Sequence, residues 1–434
     1  MRRVERGLYR LDAMRVLWVV ALGVAGCAVP TPDEAETPVG SSVLVFEGAR
    51  LISGTGNAPL ESATFVVDDG RFVEVGATGD VEVPAGAARV DLVGKTVMPA
   101  IIDTHTHLGR THEDLVEDLQ RKAYYGVSLA LSLGQDAGDL AYEVRAETIP
   151  DAARYRTAGR GITRPEPGRT DIPFWIDTEE EARAAVQELA ALEVDLVKIW
   201  VDDRNGQYEK LTPELYGAVV DEAHQRGLRV TAHIFSLEDA KGLLRVGVDG
   251  FAHGIRDQDV DDEVVALFRE RPDVVLVPNL PGRGVEEDMG WLSGTIGPDE
   301  LAAIQERTID RPEAQEAFGI QARNLVRLHA EGVRVAFGTD GGAGWSPHAE
   351  MADMVAAGMT PADVIVAATG TSADFLGLSE MGTVEPGKSA DFVVLNANPL
   401  DDITNTRLID AVYLRGTEVD RARLSARWVG QPAP

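Results

Sequence analysis

From Ala100 to Gly338 the sequence alternates short apolar runs with polar, amphipathic stretches, and it does so eight times. The apolar runs are Ala100–Asp103, Val127–Leu133, Arg154–Gly159, Leu196–Val201, Arg229–His233, Gly250–His253, Val274–Pro278 and Val333–Gly338. Most are rich in Val, Ile and Leu, which suits buried strands. Several of the intervening stretches carry explicit helix signals. Thr178 to Glu193 opens Thr-Glu-Glu-Glu, Pro213 to Gln225 ends at Arg226-Gly227, and Leu237 to Val246 follows Ser236, an N-cap residue. Eight strand–helix repeats is the count of an α/β fold of the (β/α)8 TIM-like barrel type, although the alternation alone also admits a doubly wound open sheet.

The flanks differ from the middle. Val43–Phe46, Ala63–Val67, Arg71–Val75 and Arg89–Val93 read as strands parted by Gly, Asp and Pro turns, and Ala390–Leu395 and Asp410–Leu414 repeat that character near the C-terminus. The expectation is a metal-binding barrel over residues 99–381, and a small β-sandwich domain built from both chain ends, 42–98 and 382–434. A chain of 434 residues has the length for one large barrel and a small appendage.

The N-terminus reads as an export signal. Arg2, Arg3, Arg6, Arg10 and Arg15 form a basic head, and Val16–Gly26 is an apolar run too short to span a membrane. It closes on Val24-Ala25-Gly26-Cys27, like a bacterial lipobox, with Cys27 as the lipidated residue. A cleaved signal with a chance Cys, or a start at Met14, are the alternatives. Residues 1–27 are thus expected to be a lipoprotein signal peptide, and 28–41, rich in Pro and polar residues, a flexible tether. The expected location is that of an exported bacterial lipoprotein, periplasmic or anchored at the outer membrane, touching membrane only through Cys27.

Cys27 is the single cysteine, so disulfides and Cys metal ligands are excluded from the folded part. The formal net charge of −30 argues against nucleic acid and anionic lipid surfaces as partners. A small-molecule substrate is the expected partner; a homo-oligomer is compatible with the sequence.

Six side chains that can hold metal fall at strand ends. His105 and His107 follow the first strand two residues apart, so in an extended chain both imidazoles point to one side. Lys198 lies in the apolar run Leu196–Val201, where desolvation disfavours an ammonium. Either it snorkels from the strand end, or it is neutral and takes up CO2 as an anionic carbamate able to bridge two ions. His233 and His253 each end an apolar strand, and Asp340 follows the eighth in Phe337-Gly338-Thr339-Asp340-Gly341-Gly342. Singly, each reads as readily as a packed core histidine or a turn aspartate. Jointly they sit at the ends of strands one, four, five, six and eight, which a barrel brings to one point. Imidazole and carboxylate suit zinc and similar ions.

This set resembles the amidohydrolase superfamily. The resemblance is carried by Thr96–His107 (TVMPAIIDTHTH), by Phe337–Asp340, Gly358–Pro361 and Ala367–Thr369, and by Gly382–Asp391 (GTVEPGKSAD). Within it the chain is most similar to the imidazolonepropionase-related branch, which includes binuclear Xaa-Pro dipeptidases and amidases of N-acyl amino acids. Ala100 stands where Gly is usual. The resemblance implies two divalent ions, zinc foremost. His105, His107 and Asp340 would hold the more buried one, His233 and His253 the more exposed one, and a carboxylated Lys198 would bridge them. It implies hydrolysis of an amide C–N bond, in dipeptides or N-acyl amino acids, by a metal-bridging hydroxide, with Asp340 as the catalytic proton carrier. The same fold acting on a lactone, an ester or a cyclic imide, or as a deaminase, is the alternative; a non-catalytic binding lipoprotein is the remaining one. Candidate substrate contacts are His112, Arg160, Trp200, Asn279 and His348, with Tyr124 and Arg164 as further wall residues and the loops Gly161–Asp177 and Pro281–Glu313 as the seat of selectivity. His224 and His329 are expected on outward helix faces.

Overall fold

The computed structural model describes residues 43–429; the signal-like segment, Cys27 and the tether lie outside them. Among the described residues no helix is long and apolar enough to cross a membrane.

All eight expected barrel strands form, as Ile101–Thr106, Val127–Ser132, Arg154–Thr157, Val197–Val201, Val230–Ile234, Gly250–Ala252, Val275–Val277 and Arg334–Val335. They run parallel. The first three pair with one another, and the last five pair in sequence order. Two gaps in the ladder are spanned by backbone hydrogen bonds. Asp195 N–H donates to the Thr157 carbonyl at 3.0 Å between the third and fourth strands, and Thr104 N–H donates to the Phe337 carbonyl at 2.9 Å between the eighth and the first. The eight strands thus form a TIM-like barrel with an additional domain.

Local chemistry explains the helices. Glu179–Ala191 starts with a capping box, Thr178 accepting from Glu181 N–H while the Glu181 side chain returns to the Thr178 backbone. Pro213–Gln225 begins with Pro at its first turn behind the N-cap Thr212. Leu237–Val246 stops at Gly247, whose φ of +99° only glycine adopts cheaply.

Strands from both chain ends join in one eight-stranded sheet, in which Thr96–Pro99 pairs antiparallel with Phe392–Leu395 and leads directly into the first barrel strand. Phe72 and Phe392 stand on strands four steps apart in that sheet, roughly 19 Å if it were flat. Their rings are 5.8 Å apart, so the sheet curls back on itself around Phe46, Phe65, Phe72, Phe392 and Tyr413. Residues 279–316 follow the seventh strand. This segment carries a short 3-10 turn, Gly290–Leu292, a helix at Pro298–Gln305, and the start of the helix Pro312–Ala330. Trp291 anchors it edge-on against Tyr125, Trp345 and His348.

Candidate metal centre and active site

The fourth strand sets the inner face of the site. Side chains alternate along it, so Lys198 and Trp200 share a face, and the ladder pairs them with Thr231 and His233 of the fifth strand. His253 follows the sixth strand with φ +90°, and Asp340 follows the eighth with φ +53°. Positive φ is uncommon for histidine, and each residue is held in it by the neighbouring strand: His253 N–H donates to the Val277 carbonyl at 2.9 Å, and Asp340 N–H to the His105 carbonyl at 2.8 Å. The backbone is therefore bent to aim these side chains inward.

The imidazoles converge on one carboxylate. Oδ1 of Asp340 lies 3.0 Å from Nε2 of both His105 and His107, and Oδ2 lies 3.6 Å from Nε2 of His253. Donor atoms of His105, His253 and Asp340 all fall within 4.8 Å of one another. His233 stacks edge-on to His253, ring centroids 4.5 Å apart. Lys198 is fully buried, and its Nζ has no hydrogen-bond partner.

Electrostatics keep these groups in ligand form. Burial, then the neighbouring Lys198, hold His105 below its ordinary value. Burial pushes His233 and His253 well below theirs. Burial alone would raise Asp340, but the imidazoles around it hold its carboxyl far below the usual range. Lys198 is brought down to about 7, first by burial and then by the charges of Arg256 and Arg204 against the pull of Asp340. At neutral pH the site offers the neutral imidazoles of His105, His233 and His253, the ionised Asp340 carboxylate and a Lys198 amine present in part as the free base.

A metal fits this donor set, and His105 shows why. Its Nδ1 lies 2.8 Å from Oδ1 of Asn279, which accepts the ring proton there. In the neutral ring, Nε2 then carries a lone pair facing the Asp340 carboxylate at 3.0 Å. Two acceptors at that distance need a cation between them. The orphaned Lys198 amine makes the same demand, since a buried polar atom without a partner costs about 1–3 kcal/mol.

Beneath the first and eighth strands sits a buried ion pair that sequence reasoning missed. Lys122, on the helix His112–Tyr124, donates to Asp103 at 2.7 Å, and both side chains are wholly buried. Asp103 also accepts from Thr339 Oγ1 at 2.8 Å and Thr339 N–H at 3.1 Å, so one carboxylate joins the two segments that carry His105, His107 and Asp340. Lys122→Met leaves Asp103 charged and buried, and is expected to cost about 3–5 kcal/mol in urea-induced unfolding. A loss below about 1 kcal/mol would show that the pair does not hold these segments.

The cavity over the metal candidates is about 400 Å³. Its floor is His105, His107, His233, His253 and Asp340; Trp200 and Leu108 give it an apolar wall, and Arg110, Arg169 and Gln135 line it as well. Of the expected substrate contacts, only Trp200 lines it. Asn279 acts one step back, on His105. The others are placed elsewhere. His112 is exposed and pairs with Glu147 at 2.9 Å. Arg160 donates to the Ile172 carbonyl and lies over Phe174. His348 is buried between Thr406 and the Tyr125 carbonyl, burial holding it down to about 3. Arg164 pairs with Asp177 and Glu209, and Tyr124 packs against Trp428. Loop Gly161–Asp177 contributes Arg169 to the cavity, whereas Pro281–Glu313 contributes nothing. Trp291 and the Arg283–Asp353 pair hold that second loop against the helix Ser346–Ala357 instead. His224 is exposed and bonded to Asp249, and His329 is half-buried near Asp363.

A family model described as the Amidohydrolase family matches residues 96–419. An imidazolonepropionase of Deinococcus radiodurans is 28% identical over 386 residues, covering 83% of this chain and 92% of that one. Ochratoxinase of Aspergillus niger is 24% identical, covering 88% and 89%. Among solved structures, a Bifidobacterium longum protein assigned as a prolidase superposes with a TM-score of 0.72 at 29% identity, covering 90% and 98%. A Xaa-Pro dipeptidase superposes at 0.71 with 23% identity, covering 87% and 99%, which speaks to fold alone.

Proposed function

We propose, from the premise that this chain belongs to the amidohydrolase family and is a hydrolase of carbon–nitrogen bonds, that it cleaves the amide of an N-acyl amino acid or a dipeptide at a two-zinc centre. The observation that carries this reading is the convergence of four imidazoles and Asp340 on one cavity, with the unpartnered Lys198 amine buried in the barrel beside them.

His105, His107 and Asp340 would hold one ion, His233 and His253 the other, and Lys198, as its carbamate, would reach both. Bound there, such ions supply Lewis acidity and lower the pKa of water toward neutrality. The chain's own residues do the rest. Asp340, ionised and facing the histidines, takes a proton on its carboxylate from the attacking water and returns it to the leaving amine. Trp200 and Leu108 shield an acyl group from solvent. Arg110 and Arg169 offer guanidinium groups to a free carboxylate, in a protein whose net charge is otherwise strongly negative. The dipeptidase and prolidase names among the structural neighbours accord with that substrate shape.

The test is product analysis by mass spectrometry. Zinc-loaded protein with bicarbonate would be offered pooled N-acyl amino acids, dipeptides, cyclic imides and lactones. Amide cleavage of substrates with a free carboxylate is the expected result. Turnover confined to the lactones or cyclic imides would overturn the proposal.

A further inference from the structure

The fourth strand ends at Val201, and the next residues turn back on themselves. Arg204, Asn205 and Gly206 have φ of +54°, +60° and +76°, a left-handed run costly for Arg204. The turn folds Arg204 onto Asp202. Oδ1 of Asp202 accepts the Arg204 N–H at 2.9 Å, and Oδ2 accepts from its guanidinium at 2.6 Å. The same Oδ2 lies 2.9 Å from Nε2 of His233. Arg204 then donates through Nε to Glu166 at 3.1 Å, and Glu166, only 1% exposed, is also ion-paired with Arg169 of the cavity wall. A chain of alternating charge therefore runs from that wall to His233: Arg169, Glu166, Arg204, Asp202.

Two buried carboxylates are costly to keep unless each is fully paired. Here the pairing is complete, and it ends on a ring nitrogen. Arg256 and Arg204 also approach that nitrogen, at 3.1 and 3.2 Å, but both are cations with carboxylate or carbonyl acceptors of their own. The carboxylate is thus the natural recipient of the ring proton. With Nε2–H given to Asp202, the lone pair of His233 is on Nδ1. An imidazole held by a carboxylate on one nitrogen is oriented and made more basic on the other.

We propose that Asp202 is a positioning residue which fixes His233 with Nδ1 as its metal-donor atom, and that Glu166 and Arg204 brace it from the cavity wall. The inference rests on the reading of His233 as a ligand, and goes beyond it in naming the residues that orient its ring.

The experiment compares zinc-loaded wild type with His233→Ala, Asp202→Ala, Asp202→Asn and Glu166→Gln by chelator competition and metal analysis. Nitrogen-15 spectra of the histidine rings in the metal-free wild type accompany it. We expect two ions per chain in the wild type and loss of one in His233→Ala. Asp202→Ala should weaken the same ion about 10- to 100-fold. Asp202→Asn, which keeps an acceptor oxygen without the charge, and Glu166→Gln should fall between that and wild type. The His233 ring should carry its proton on Nε2. Wild-type zinc affinity in Asp202→Ala overturns the proposal, as does a proton on Nδ1 in the wild type, a result independent of whether any variant folds. Wild-type zinc content in His233→Ala overturns instead the ligand reading on which it rests.

Discussion

Lys198→Met is expected to abolish turnover and, in the metal-free protein, to raise the unfolding temperature. The two effects share a cause. The wild-type chain buries an amine completely and gives Nζ no hydrogen-bond partner. Methionine has similar length and no polar head, so it removes a desolvation cost of about 1–3 kcal/mol while filling the same space. Selection for stability alone would not place lysine there. Burial also brings the amine to about 7, so that near neutrality much of it is the free base, the form that adds CO2. In the proposed carbamate, the nitrogen would form a bond to the carbon of CO2, lose a proton to water, and leave an anion with two oxygens. Met has no such chemistry, and a fall of about 10³-fold or more is expected, the scale of several kcal/mol of lost metal assistance. Lys198→Ala separates the parts of the argument. It leaves a cavity that formate or acetate can enter, so added short carboxylic acids should restore part of its activity but none to Lys198→Met. Calorimetry, zinc content and acid rescue read these out together. Two zinc ions bound by Lys198→Met with wild-type affinity would remove the lysine from the centre.

The same pairing of cost with chemistry explains what was legible in the sequence. Barrel strands were legible because most are buried and apolar, and all eight form within a few residues of where the pattern put them. Most candidate ligands were legible because they stand at or just past the end of a strand, where a barrel gathers its chemistry, and Lys198 because a lysine inside an apolar strand is costly. The cavity's Arg110 and Arg169 were not, because an arginine in a polar loop looks like any surface arginine until the fold places it. Lys122 and Asp202 were hidden differently. Lys122 is one lysine among the charged residues of its helix, and only its full burial against Asp103 marks it. Asp202 carried a usable signal, since it directly follows the fourth strand, but two acids and an arginine in a row also describe an ordinary turn. His348 misled for the opposite reason. Its place after the eighth strand suggested the cavity, whereas the helix Ser346–Ala357 turns its ring into the core toward Thr406.

Asp340→Asn puts the mechanism itself at risk, and the backbone makes it a clean substitution. Asp340 sits at φ +53°, where asparagine is at ease and alanine is strained. The amide keeps one oxygen for the imidazoles of His105 and His107, both 3.0 Å from the carboxylate now. What it loses is the charge and the ability to take a proton. If Asp340 only shaped the cavity, the exchange would change little. If it carries the proton from water to the leaving amine, kcat should fall about 10²- to 10⁴-fold with KM nearly unchanged, since the substrate contacts proposed above are with the cavity-lining Trp200, Leu108, Arg110 and Arg169. Loss of charge also weakens the ion shared with His105 and His107, so kcat must be read at saturating zinc. Thermal melting should show a fold as stable as the wild type, which separates loss of chemistry from loss of structure. An Asp340→Asn enzyme that keeps a tenth of the wild-type kcat at full zinc occupancy would leave Asp340 a ligand but not the proton carrier. The role would then pass to another group at the cavity, where the imidazoles of His105, His107 and His253 all lie within 3.6 Å of the same carboxylate.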